Sequence, residues 1–260
     1  MKTILICHTD ARLTKQAFAR WLASFTDLVG IIAIDEDGSR AKQRIRTEIK
    51  RSGLFRFVFD VLPYRVYSRI FDHTKDKVWE QNKLNELLSL YPDHSAEVLV
   101  TSSPNSKEAK DFLTRLQPDM VLARCKTLIK KEIFEIPQDG TFVLHPGMCP
   151  EYRNAHGCFW ALANDEPEKV AMTLLKIDSG VDTGPVYGYY TYDFDIQDET
   201  PGIIHNRVVY DNLDELRMKL HEIHEGKAVT INTEGRKSNV WGQPWLSRYL
   251  RFKRGKLSGK

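Results

Sequence analysis

The chain has 260 residues, 42% of them hydrophobic and 28% charged, with a formal net charge of +3. That is enough apolar material for one substantial core without disulfide staples, and too little charge for a polycation built for nucleic acid, so no nucleic-acid partner is expected. The apolar start from Thr3 to Cys7 is too short for a signal peptide or membrane span, and Cys7, Cys125, Cys149 and Cys158 form no C-x-x-C pair; a soluble protein of the reducing cytoplasm is the expectation.

Short apolar runs alternate with helical patterns along the chain. Thr3–Cys7, Leu28–Ile34, Glu97–Thr101, Asp119–Ala123 and Thr141–Leu144 are nearly continuously apolar, as strands covered on both faces must be. Leu13–Phe25, Ser39–Ser52, Lys77–Leu90 and Ser106–Leu116 between them read as helices. The β-α-β-α order predicts an α/β fold with a Rossmann-like parallel sheet and right-handed crossovers. Val170–Ile177 and Pro185–Tyr192 follow as a strand pair, and Pro201–Glu225 reads as one long helix with Thr200 as N-cap and Pro201 at its first position. Residues 1–225 are expected as one catalytic domain and 226–260 as a short extension, docked by Trp241 and Trp245 and ending in a basic tail.

Residues 52–90 are long for one crossover and rich in aromatics: Phe55, Phe57, Phe59, Tyr64, Tyr67, Phe71 and Trp79. This is read as a helical insertion whose aromatics pack on the core. Basic residues cluster just before it, at Arg40, Lys42, Arg44, Arg46, Lys50, Arg51 and Arg56, and again at Arg248, Arg251, Lys253, Arg254, Lys256 and Lys260. A solvated helix face and a frayed terminus are the plainer reading of both.

The chemistry-bearing stretch is HPGMCPEYRNAHGCFWAL, in which an apolar strand delivers His145 into a loop turned by Pro146, Gly147 and Pro150. A second loop, IDSGVDTG, supplies Asp182 before Gly184. An imidazole exchanges protons near neutral pH and a carboxylate can fix its tautomer, so the two loops together suggest an acid–base site. In open α/β sheets ligands sit beyond the carboxyl ends of the strands, where His145 would lie. Other patterns carry less. Asp178-Ser-Gly and Asp182-Thr-Gly copy the aspartic-protease triplet, but carboxylates so close in one loop cannot form that dyad. His221 and His224 lack H-E-x-x-H spacing and a third ligand, so no metal is expected. Cys7-His8-Thr9-Asp10 lacks the glycines of a phosphate-cradling loop.

Three stretches, VLARCKTLIKKEIFEIP, LHPGMCPEYRNAHGCFWALAN and MTLLKIDSGVDTGPV, resemble the folate-dependent formyltransferase family, whose members act on glycinamide ribonucleotide, methionyl-tRNA and aminodeoxy sugars. The resemblance implies transfer of a formyl group from 10-formyltetrahydrofolate to an amine by an Asn-x-His pair and a later Asp. These map to Val143, His145 and Asp182, so the carboxamide that would meet a tetrahedral oxyanion is replaced by an isopropyl group. Losing such a donor costs about 2.7–4 kcal/mol of transition-state stabilisation, and Asn154 is the candidate substitute. By the same resemblance the pterin would be held near Thr127 and Ile129 and by the Asp178–Asp182 loop, including Gly180. Asp10, Tyr152 and Arg153 would border the acceptor pocket. The residues after 226 are too few for the C-terminal barrel of the tRNA-directed relatives, which leaves a small-molecule amine, such as a nucleotide-linked amino sugar, as acceptor. Two alternatives stay open: a hydrolase of 10-formyltetrahydrofolate, and a binding relative with impaired catalysis. Nothing in the sequence sets an oligomeric state.

Overall fold

The computed structural model describes the backbone of residues 1–36 and 38–257, and all their side chains except those of 38–41 and 254–257. Lys260, and the side chains of Arg40, Arg254 and Lys256, thus lie outside the described residues.

A sheet of seven strands forms the centre, in the order β3-β2-β1-β4-β5-β7-β8. Its members are β1 (Lys2–His8), β2 (Asp27–Ile34), β3 (Glu97–Thr101), β4 (Met120–Arg124), β5 (Gly140–Pro146), β7 (Met172–Lys176) and β8 (Val186–Tyr190). The first five run parallel, while β7 is antiparallel to both β5 and β8. Two short strands, β6 (Arg153–Asn154) and β9 (Val240–Trp241), pair separately. The apolar runs are continuous because alternate side chains enter two different cores. Leu5 and Cys7 of β1 join Met120 and Leu122 of β4 in one layer, whereas Ile4 and Ile6 join Val121 and Ala123 in the other.

The helices are α1 (residues 13–23, opening with a π turn), α2 (Gly38–Ser52), α3 (residues 54–71, with a π segment at Phe57–Val61), α4 (His73–Leu90), α5 (Lys107–Leu116), α6 (Lys131–Phe134), α7 (Gly157–Ala163), α8 (Pro201–Tyr210), α9 (Leu213–His224) and α10 (Leu246–Leu257). Ser106 and Thr200 cap α5 and α8 through their hydroxyls, accepting from the amides of Ala109 and Ile203. The helix expected over Pro201–Glu225 is broken in two. Asp211 and Asn212 interrupt it, with Arg207 clamped on Asp211 and the Asn212 carboxamide donating back to the Val208 carbonyl. Apolar periodicity resumes at once in α9, so the pattern conceals the break.

The basic tail is not a frayed end over its described part: Tyr249 and Phe252 are buried in the main core within α10. Trp241 stacks between Tyr152 and Trp160, and Trp245 meets Trp160 edge-on at 5.0 Å, so both tryptophans dock this segment as expected. The aromatic insertion departs from expectation. Phe57 is buried, and Tyr64, Tyr67 and Trp79 pack on the core, but Phe55, Phe59 and Phe71 face outward.

Candidate active site

Strand order reverses beside β1: the chain steps outward through β2 and β3, then crosses back to β4. The carboxyl ends of β1, β4 and β5 therefore open a crevice at the switch point, bringing His8, Arg124 and His145 to one rim. His145 pairs in register with Thr173 of the antiparallel β7, which fixes the direction of its side chain.

His145 is buried, and its two nitrogens have different neighbours. Nε2 lies 2.7 Å from the Tyr152 carbonyl. A carbonyl only accepts, so Nε2 carries a proton and donates it there. Nδ1 lies 3.6 Å from Oδ2 of Asp182, too long for a hydrogen bond but within ion-pair range. Nδ1 is thus the nitrogen able to gain and lose a proton. The contact with Tyr152 depends on two glycines. A Cβ on Gly147 would lie 2.5 Å from the Tyr152 carbonyl oxygen and 2.7 Å from Nε2, while one on Gly157 would lie 2.4 Å from the Gly147 Cα.

Asp182 has a left-handed backbone (φ 51°) and is held from two sides. Its Oδ2 accepts from the Asn154 amide at 2.7 Å, and the Arg153 guanidinium donates to the adjacent Val181 carbonyl at 2.9 Å. Two consecutive residues of β6 thereby clip two consecutive residues of the acidic loop. Within that loop, Asp178 accepts from the Gly180 amide and the Thr183 hydroxyl. At its base, a Cβ on Gly184 would fall 1.8 Å from the Lys176 carbonyl oxygen. The clip itself is secured by the C-terminal segment: Arg153 and Asn154 pair with Val240 and Trp241, and the Asn154 carboxamide donates to the Trp241 carbonyl.

Several residues singled out in the sequence take other places. Asn154, the candidate substitute donor, directs its carboxamide to Trp241 and turns only its main-chain amide to Asp182. Tyr152 is buried with its ring against Trp241 and its hydroxyl on Glu166, so it is its carbonyl, not its ring, that faces the site. The Thr127 hydroxyl donates to Glu36, and Ile129 is buried in the second core layer. Asp10 is exposed just past the end of β1. Val143, two residues before His145, packs on Cys149, Leu175 and Val186.

A profile of the formyl transferase family matches residues 70–215, more than half of the chain and inclusive of β4, β5, both loops and α8. The chain belongs to the formyl transferase family. Methionyl-tRNA formyltransferase of Clostridioides difficile is 32% identical over 123 residues, covering 47% of this chain and 39% of the relative. The bifunctional polymyxin resistance protein ArnA of Wigglesworthia glossinidia brevipalpis is 25% identical over 182 residues, covering 70% of this chain and 27% of the relative. The match thus spans well under half of either relative. Among solved structures, a sugar N-formyltransferase from a Shewanella species superposes over 93% of this chain and 76% of its own with a TM-score of 0.55 at 14% identity. The phosphoribosylglycinamide formyltransferase of Streptococcus pneumoniae superposes over 86% and 99% with a TM-score of 0.51, also at 14% identity. At such identities the superpositions establish the formyltransferase fold.

Three polar side chains of this family member's crevice escaped the sequence reading. Arg124 ends β4, one residue beyond the expected strand; its Nε donates to Thr14, its guanidinium lies 5.4 Å from the Tyr210 ring, and its buried Nη1 has no hydrogen-bond partner among the described residues. His156 and His205 lie with ring centres 6.4 Å apart. Burial, then the charges of Lys126 and Arg65, push His156 down to about 4. Burial also drives His205 well below the ordinary imidazole range, with His156, Arg124 and His145 adding to the effect. Both are neutral at pH 7. His8, lowered chiefly by burial, accepts the Lys126 amide on Nε2 at 3.0 Å. Beside His156 a cavity of about 260 Å³ is lined by Tyr64, Arg65, Ser68, Arg69 and Gln243, among others. A charged residue at the carboxyl end of an apolar strand was the one sequence signal for Arg124; nothing local marks the two histidines.

Proposed function

We propose that this protein transfers a formyl group from 10-formyltetrahydrofolate to the amine of a small molecule, with His145 and Asp182 as its acid–base pair. The observation that carries this reading is the approach of His145 Nδ1 to Asp182 at 3.6 Å, at the carboxyl end of β5 in a formyl transferase family member. When bound, the donor supplies an electrophilic formyl carbon. His145, oriented by its bond to Tyr152, takes the proton of the attacking amine at Nδ1 and returns it to the leaving nitrogen. Asp182 steadies the imidazole while it is charged. Asn154 and Arg153 act on this pair as positioning residues, through the main chain of the acidic loop.

With the Thr127 hydroxyl turned to Glu36, Ile129 buried and Asp178 occupied within its own turn, these side chains have their own partners, so a flat reduced pterin held by the loops after β4 and β7 would be met by main-chain groups rather than by them. For the acceptor, the unpartnered Nη1 of Arg124 and the arginines of the cavity beside His156 favour a molecule carrying an anionic group near its amine. A nucleotide-linked amino sugar meets that description, and one of the structures that share the fold is a sugar N-formyltransferase.

The test is turnover of 10-formyltetrahydrofolate with a panel of nucleotide-linked amino sugars, followed by mass spectrometry of the acceptor. Formylated product from the wild type and its loss in His145→Gln are expected. Formate release that is independent of any amine would overturn the proposal in favour of the hydrolase.

A further inference from the structure

The sequence left the basic segment before the aromatic insertion and the basic tail without a role, and the structure places described residues of both beside one exposed surface. Residues 54–71 form a continuous helix about 27 Å long by the rise of 1.5 Å per residue. Its inner face is buried through Phe57 and Val61. Its outer face is also apolar: Phe55, Phe59, Leu62, Val66 and Ile70 recur at spacings of three and four, with Phe71 at the end. Five of these six are between 59% and 76% exposed, and Leu62 is 39% exposed. Such a stripe in water marks an interaction surface.

Charge identifies the partner. Residues 38–71 contain nine lysines and arginines and two acids, Glu48 and Asp60. Both acids are withdrawn from the face: Glu48 is buried, and Asp60 accepts from the amide and hydroxyl of Ser247. The basic groups remain at the border. Arg46, Lys50 and Arg51 of α2 are exposed, and Arg56 lies over the Trp245 ring at 4.1 Å. Helix α10, which carries Arg248 and Arg251, packs along the other flank of α3. A second copy of the chain would set these cations against each other around the stripe, with no exposed acid from 44 to 71 to answer them. An anionic bilayer answers both features, taking the apolar row into its acyl boundary and the guanidinium groups at its headgroups. No helix among the described residues is long and apolar enough to cross a membrane, so the contact would lie in the interface.

We propose that the outer face of residues 54–71, with its basic border, docks this protein on the surface of an anionic lipid membrane. The inference stands on observations separate from the catalytic reading. Co-sedimentation with phosphatidylcholine vesicles, alone or with phosphatidylglycerol, tests it. Binding is expected with phosphatidylglycerol only and is expected to weaken as salt is raised. Phe59→Glu with Val66→Glu should abolish it, and Arg46→Ala with Lys50→Ala should weaken it about tenfold to thirtyfold. All four side chains are exposed, so melting temperatures should stay within a degree or two of wild type. Failure to bind anionic vesicles, or binding that survives the glutamate pair, would overturn the proposal. So would a dimer in solution that the glutamate pair converts to monomer, because a second copy would then be the occupant.

Discussion

The crevice has two halves that differ in how their titratable side chains are held. Around His145 and Asp182 the key groups are held from behind: Nε2 of the imidazole by the Tyr152 carbonyl, the carboxylate by the Asn154 amide and the neighbouring carbonyl by Arg153, although the buried Nε of Arg153 has no hydrogen-bond partner among the described residues. Around Arg124, His156 and His205, burial is incompletely compensated: one guanidinium nitrogen of Arg124 has no partner among the described residues, and both imidazoles are forced neutral. The first half thus fixes His145 and Asp182 through hydrogen bonds, and its one unsatisfied nitrogen, on Arg153, lies behind the pair. The second stores the desolvation penalty of a buried donor, about 1–3 kcal/mol, which a ligand could recover. Function and stability should therefore respond oppositely to mutation in the two halves.

The largest effect is expected in the clamped half. Removing the imidazole with His145→Ala should lower kcat by about a hundredfold to ten-thousandfold, measured as formyl transfer under saturating donor. Gly147→Ala should approach that loss while keeping the imidazole in the chain, because its methyl group would crowd both the Tyr152 carbonyl oxygen at 2.5 Å and Nε2 at 2.7 Å and so break their hydrogen bond; a variant with unaltered kcat would refute the role given to that hydrogen bond. In the open half, Arg124→Met should raise the acceptor KM roughly tenfold to a hundredfold while leaving the melting temperature equal or higher, since a flexible apolar side chain removes the orphaned donor. A clear loss of stability would mean that Arg124 is a structural residue and that the contrast between the halves fails there.

The smallest effect is a pH dependence. His156 is held at about 4 in the folded protein against an ordinary value of 6.5, so between those values the unfolded chain binds the additional proton. Its contribution is intact above about 6.5 and is lost as the pH falls toward 4, a change on the order of 2 kcal/mol after allowance for partial solvent access. His156→Gln should flatten the slope of denaturation free energy against pH across that interval, and an unchanged slope would count against the neutral state assigned to it.

Much of the clamped half was legible in advance. His145 and Asp182 each follow an apolar run and lie among turn residues, so position and chemistry coincide within a few residues of sequence. Their supports were less legible, because Arg153, Asn154 and Tyr152 act partly through main-chain groups that no residue type announces. The open half was hidden for a different reason. Arg124, His156 and His205 belong to β4, the approach to α7, and α8, and only the fold brings them to one crevice. The same limit applies to the helix at 54–71. Aromatics at helical spacing predict packing on a core, yet both faces of this helix are apolar, and periodicity cannot say which one meets protein.

The sequence by itself determined the seven main strands, their alternation with helices, the family and the His145 and Asp182 loops. Each of these is written in local periodicity, turn chemistry or motif, which act over a few neighbouring residues. Tertiary structure alone decided which nitrogen of His145 faces Asp182, that the C-terminal strand steadies the acidic loop, and that one guanidinium nitrogen of Arg124 finds no partner among the described residues beside two neutral histidines. Those outcomes depend on distance and burial, which arise only when remote segments compete for the same space.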